Sequence, residues 1–73
     1  MSRLPQLGGR EIVAAFRRVG WDVDRQRGSH VVMTKVGAIA SLSVPQHNPV
    51  RRGTLHSLLK SAGLTVDEFL DLL

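Results

Sequence analysis

The chain has no cysteine and no tyrosine, and it carries one tryptophan and two phenylalanines in 73 residues. Without cysteine there are no disulfides and no thiolate metal sites, a usage that fits a reducing cytoplasm. So few rings make base stacking a poor main mode for any nucleic-acid recognition. No stretch approaches the roughly 18 consecutive apolar residues that a membrane span requires. Met1-Ser2-Arg3-Leu4-Pro5 has no apolar segment of the signal-peptide kind. A soluble, cytoplasmic protein without membrane contact is the expectation. Residues 1–73 are too few for a second domain, so one small domain with a thin core is expected.

Acidic residues are also scarce. Six Asp and Glu face ten Lys and Arg, for a net charge of +4, and all but two of the basic residues are arginine. The guanidinium fork suits bidentate contacts to phosphate, which makes a nucleic acid or an acidic protein the natural partner class. Ordinary solubilising charge is the plain alternative.

Ile12, Val13, Phe16 and Val19 form one helical stripe between Gly9 and Val19, and Gly20 stands where a left-handed cap ends a helix. From Trp21 to Gln26 the pattern has period two, with Trp21 and Val23 on one side and Asp22, Asp24 and Gln26 on the other. Arg27-Gly28 is a turn, and His30 to Thr34 makes a second strand. After Lys35-Val36-Gly37, a third strand is expected over 38–44 with Ala40, Leu42 and Val44 on one face, ended by Pro45. A second helix from Gly53 or Thr54 to Ala62 buries Leu55, Leu58, Leu59 and Ala62, with Gly63 as its cap. Thr65-Val66-Asp67-Glu68 is a capping-box pattern opening a short last helix that carries Phe69, Leu70 and Leu73.

This order is α+β: α-β-β-β-α with a three-stranded antiparallel sheet and a short C-terminal helix, the layout of the double-stranded-RNA-binding fold. The two main helices must cover one face of the sheet and leave the other to water. Burial of Val31 and Met33 under the helices places His30 on or beside the open face. Histidine ordinarily titrates near neutrality, with a pKa of roughly 6.5. At a strand start near Arg25 and Arg27, it suggests acid–base chemistry on an anionic substrate.

Several pieces in order then resemble one family. They are Gly20-Trp21, Arg25-Gln26-Arg27-Gly28-Ser29-His30, Val44-Pro45-Gln46-His47, Gly53-Thr54-Leu55, and Leu58 to Leu64. Over residues 4–73 the chain resembles the HicA (YcfA-like) toxins, small ribonucleases of bacterial toxin–antitoxin pairs. The resemblance implies a metal-independent mRNA endonuclease whose catalytic residue is the histidine of its Gly-Ser-His motif, here His30. It also implies a HicB-type antitoxin over the active site, with the toxin a monomer alone and a hetero-oligomer with that partner.

RNA brings its own nucleophile, the 2′-hydroxyl, so cleavage requires no cofactor. His30 would move a proton, while Arg25, Arg27 and Lys35 would hold phosphorane charge. Ser29 would orient the imidazole or donate to phosphate, or serve only as a turn former. Arg51 and Arg52 precede a helix start whose free N–H groups favour anions, a second place for phosphate. His47 could line a substrate groove, with a loop role the favoured reading, and His56 is assigned to solvent. Three scattered histidines do not make a zinc site. Asp22 and Asp24 on one strand face, a conceivable magnesium site, read as a polar surface. The rival reading is a non-catalytic double-stranded-RNA-binding module in which His30 is incidental.

Overall fold

In the computed structural model, which describes residues 4–73, the first apolar stripe folds as α1 (Gly9–Arg17) and buries Ile12, Ala15 and Phe16. Regular helix stops short of Val19 because its last turn tightens: the Arg18 and Val19 N–H groups reach back only three residues. The Trp21 N–H then folds back to the Phe16 carbonyl at 3.2 Å and closes the end. At the other end Gly8 has no side chain to cap with. Only the reciprocal half of a capping box forms, from the Gly8 N–H to Glu11 Oε1 at 2.9 Å.

Strands β1 (Asp22–Arg27), β2 (His30–Thr34) and β3 (Leu42–Pro45) form one antiparallel sheet in chain order. Two sequence expectations need correction. Residues 38–41 are not strand. Register pairs His30 with Pro45 and Met33 with Leu42, so Thr34, the last residue of β2, stands level with position 41 and residues 38–40 run past the end of β2. The segment instead turns through an Ala38 N–H to Lys35 carbonyl bond, with Val36 and Ile39 fully exposed.

The second correction concerns β1, which does not alternate strictly. Val23 pairs with Met33 but Arg25 pairs with Val32, so Asp24 is an extra residue in a β-bulge. Strict alternation would send Arg25 and Arg27 to the helix side with Val23. The bulge moves both to the other face and sends Gln26, opposite Val31, toward the helices.

Helix α2 (Arg52–Ala62) buries Leu55, Leu58 and Leu59 and closes on Gly63, where the Leu64 N–H bonds the Leu59 carbonyl at 2.9 Å. Helix α3 (Val66–Leu70) opens with the full capping box: Glu68 N–H donates to Thr65 Oγ1 at 3.1 Å, and Thr65 N–H to Glu68 Oε1 at 2.8 Å. Leu73 lies beyond α3 and is half exposed.

One face of the sheet carries the core. Met33, Leu42 and Val44 are buried with Ile12 and Phe16 of α1 and Leu55 and Leu59 of α2. Phe16 joins the layers, its ring centroid 5.7 Å from that of Phe69 in α3 and 6.5 Å from that of Trp21. Each such fully buried large side chain stabilises the fold by about 1.5–3 kcal/mol. The C-terminal end is further tied to α1 by the Arg18 guanidinium, which donates to the Leu72 carbonyl.

Candidate active site

Gly28 and Ser29 form the two-residue turn between β1 and β2. Gly28 has φ of 57° at the first turn position, where a type II′ hairpin requires glycine. The turn sets Arg27 directly across from His30, and partners directly opposite in an antiparallel pair share a face. The bulge places Arg25 opposite Val32 on that same face. On the far side of β2, Ser43 stands opposite Val32. Arg25, Arg27, His30, Val32, Ser41 and Ser43 thus line a groove of about 370 Å³ on the sheet face away from the helices. Val32, only 9 % exposed, forms its floor, while His30 is exposed. Arg25 is held by Asp24, with Nη1 2.7 Å from Oδ2.

His47 approaches from a different element. Its ring meets His30 edge to face, with centroids 6.4 Å apart and planes inclined by 62°. The loop that carries it is pinned at two points. Gln46 N–H donates to the Ser29 carbonyl at 2.7 Å, and Gly9 N–H donates to the His47 carbonyl at 2.9 Å. The second bond depends on glycine at position 9, because a Cβ there would lie 2.3 Å from the Pro45 oxygen.

The remaining residues singled out by sequence fall elsewhere. Ser29 is exposed in the hairpin turn beside His30. Lys35 follows the opposite end of β2, about 16 Å from His30 at the usual rise per strand residue, and lines a separate depression with Trp21, Ile39 and Lys60. Arg51 caps α2 and is exposed. Arg52 Nε donates to the Leu4 carbonyl at 3.0 Å, so part of that guanidinium anchors the segment before α1. His56 lies exposed on α2. Asp22 and Asp24 are separated by the bulge, and no cluster of three or more metal-ligating side chains occurs among the described residues. Among the described residues no helix is long and apolar enough to cross a membrane.

Sequence reasoning missed Ser41 and Ser43, and it favoured a loop role for His47 over a place on a substrate groove. The two serines were legible as the partners in alternation of Leu42 and Val44. The histidine was not, because its place depends on a loop packed against a distant helix start.

The family described as the HicA toxin of bacterial toxin–antitoxin pairs matches residues 9–64. This chain belongs to the HicA toxin family. Its matched segment runs from the first residue of α1 to just past α2, and so contains the His30 hairpin, the His47 loop and the start of α2. Helix α3 lies outside that segment, although Phe69 completes the core of this HicA toxin. No curated protein matched the chain.

Proposed function

We propose that this HicA toxin is a metal-independent endoribonuclease that cleaves mRNA in the cytoplasm, with His30 as a proton-transfer residue. The observation that supports it most is the shared sheet face of exposed His30, Arg25 and Arg27 around one groove. A polynucleotide backbone laid in that groove meets guanidinium groups that can hold two non-bridging phosphate oxygens. The ribose 2′-hydroxyl adjoining the bound phosphate is the nucleophile. It attacks phosphorus as His30 exchanges a proton with an attacking or leaving oxygen, a contribution of about 10²–10⁴-fold in rate. Arg25 and Arg27 face the negative charge that grows on the phosphorane.

Ser29 and Ser43 supply hydroxyl donors at the two flanks of His30. Lys35, Arg51 and Arg52 are assigned outlying contacts to the RNA backbone, since Lys35 stands too far along the sheet to share His30's phosphate. A HicB-type antitoxin is the partner assigned to this face, where covering His30 would close the groove.

The test is cleavage of purified RNA in excess chelator by wild type and His30→Ala. Wild type cleaves and the variant does not, while both melt at nearly the same temperature because His30 is exposed. Cleavage by His30→Ala at the wild-type rate overturns the catalytic assignment. Wild-type protein that binds RNA in chelator without cutting it overturns the metal-independent assignment, and cleavage restored by added magnesium then separates a metal-dependent nuclease from a non-catalytic double-stranded-RNA-binding module.

A further inference from the structure

Resting on the ribonuclease reading above, we propose that His47 is the second proton-transfer residue, so that cleavage uses a pair of imidazoles rather than one. Transfer of an RNA phosphodiester to its own 2′-oxygen requires two proton movements on opposite sides of phosphorus. One proton leaves the attacking hydroxyl and one reaches the departing 5′-oxygen. A single histidine leaves one of these to water.

The geometry supplies both groups. With ring centroids 6.4 Å apart, subtracting a ring radius of roughly 1.2 Å at each end leaves no less than about 4 Å between nearest atoms, beyond hydrogen-bond range. The rings therefore do not consume one another's nitrogens, yet they stand close enough to reach different oxygens of one phosphate. Both are exposed. Each also borders a different depression. His30 lines the groove on the open sheet face, whereas His47 lines a cavity of about 620 Å³ with Arg10, Gln26, Gln46 and Asn48. A polynucleotide passing from one depression into the other crosses both imidazoles.

The backbone fixes this pairing. The residue before each histidine is bonded to the residue before the other, through Gln46 N–H to the Ser29 carbonyl. The His47 carbonyl is then clamped by the Gly9 N–H. These two main-chain bonds hold the imidazoles in a fixed relation to each other.

In the reaction, the O2′–P bond forms while the 2′-hydroxyl proton passes to the neutral imidazole. The P–O5′ bond breaks while the protonated imidazole gives its proton to the 5′-oxygen. The products are a 2′,3′-cyclic phosphate and a 5′-hydroxyl, and the two rings have exchanged protonation states. Proton exchange with water restores them.

The test compares wild type, His30→Ala and His47→Ala on two short RNAs, one ordinary and one with sulfur in place of the bridging 5′-oxygen at a cleaved bond. A thiolate departs without a proton, so the sulfur substrate bypasses the acid and not the base. Each variant should lose about 10²–10⁴-fold on ordinary RNA. On the sulfur substrate one of the two should recover to near the wild-type rate and the other should not. A His47→Ala rate within threefold of wild type, with His30→Ala inactive, removes the pairing and leaves the proposed function standing. Loss in both variants with no difference in recovery assigns His47 a structural role and equally overturns it. A wild type that cleaves neither RNA takes down both readings.

Discussion

Replacing Gly9 with alanine tests how the loop that carries His47 is held. At an ordinary helix position this change stabilises by about 0.4–1 kcal/mol, because it restricts the unfolded chain. Here the new Cβ would stand 2.3 Å from the Pro45 oxygen and 2.8 Å from the Gln46 Cα. Both neighbours are main chain, so no side-chain rotation relieves the clash, and the strand end or the helix must move by about an ångström. Overpacking of this kind costs about 1–3 kcal/mol. Weakening the Gly9 N–H bond to the His47 carbonyl adds about 0.5–1.5 kcal/mol. Set against the stabilising contribution, the net loss is about 0.5–4 kcal/mol, or a fall in Tm of roughly 2–30 °C for a domain of this size. Gly53→Ala is the control, since a Cβ at Gly53 in the first turn of α2 meets nothing within 4 Å among the described residues, and it should be neutral or slightly stabilising. Thermal melts followed by far-ultraviolet circular dichroism read both. A Gly9→Ala protein that melts at or above the wild-type temperature refutes the close-approach argument.

Arg27→Ala and Arg25→Ala should each weaken RNA binding and flatten its salt dependence by about 0.7 in log–log slope for each phosphate no longer neutralised. Lys35→Ala should weaken binding while leaving the cleavage rate at saturating RNA unchanged, as single-turnover kinetics will show. Phe69→Ala should cost about 3–5 kcal/mol in urea unfolding, a large part of the few kcal/mol that hold so small a domain together. A loss under about 1 kcal/mol would mean α3 is not part of the cooperative fold. Trp21 is 2 % exposed and its buried Nε1 has no hydrogen-bond partner among the described residues. Trp21→Phe should therefore stay within about 1.5 kcal/mol of wild type, whereas Trp21→Ala should lose about 3–5 kcal/mol.

Elements governed by local chemistry were legible in the sequence. The stripe Ile12, Val13, Phe16 and the Thr65–Glu68 box announced α1 and α3 because spacing and capping act within one or two turns. The open face was legible from Val31 and Met33, which pack toward the helices, Met33 buried and Val31 partly so, and leave His30 on the other side. What was not legible is what depends on pairing at a distance. The bulge at Asp24 leaves no mark on composition, and it alone decides that Arg25 and Arg27 share a face with His30. The third strand is shorter than its alternation from Ala38 predicts because its start is set by where β2 ends. His47 read as a loop residue because nothing near it in sequence shows that Gly9 holds that loop beside the hairpin. In each case the missing information was tertiary, and the bulge and the His47 loop both bear on the site.

In the proposed mechanism a ribose hydroxyl, and not water, attacks the phosphodiester held beside His30. The chemical ends of the fragments decide between the two nucleophiles. RNA digested by wild-type protein in chelator should carry 2′,3′-cyclic phosphate and 5′-hydroxyl ends. Fragments bearing 3′-hydroxyl and 5′-phosphate ends would show that water was the nucleophile and would rule this mechanism out.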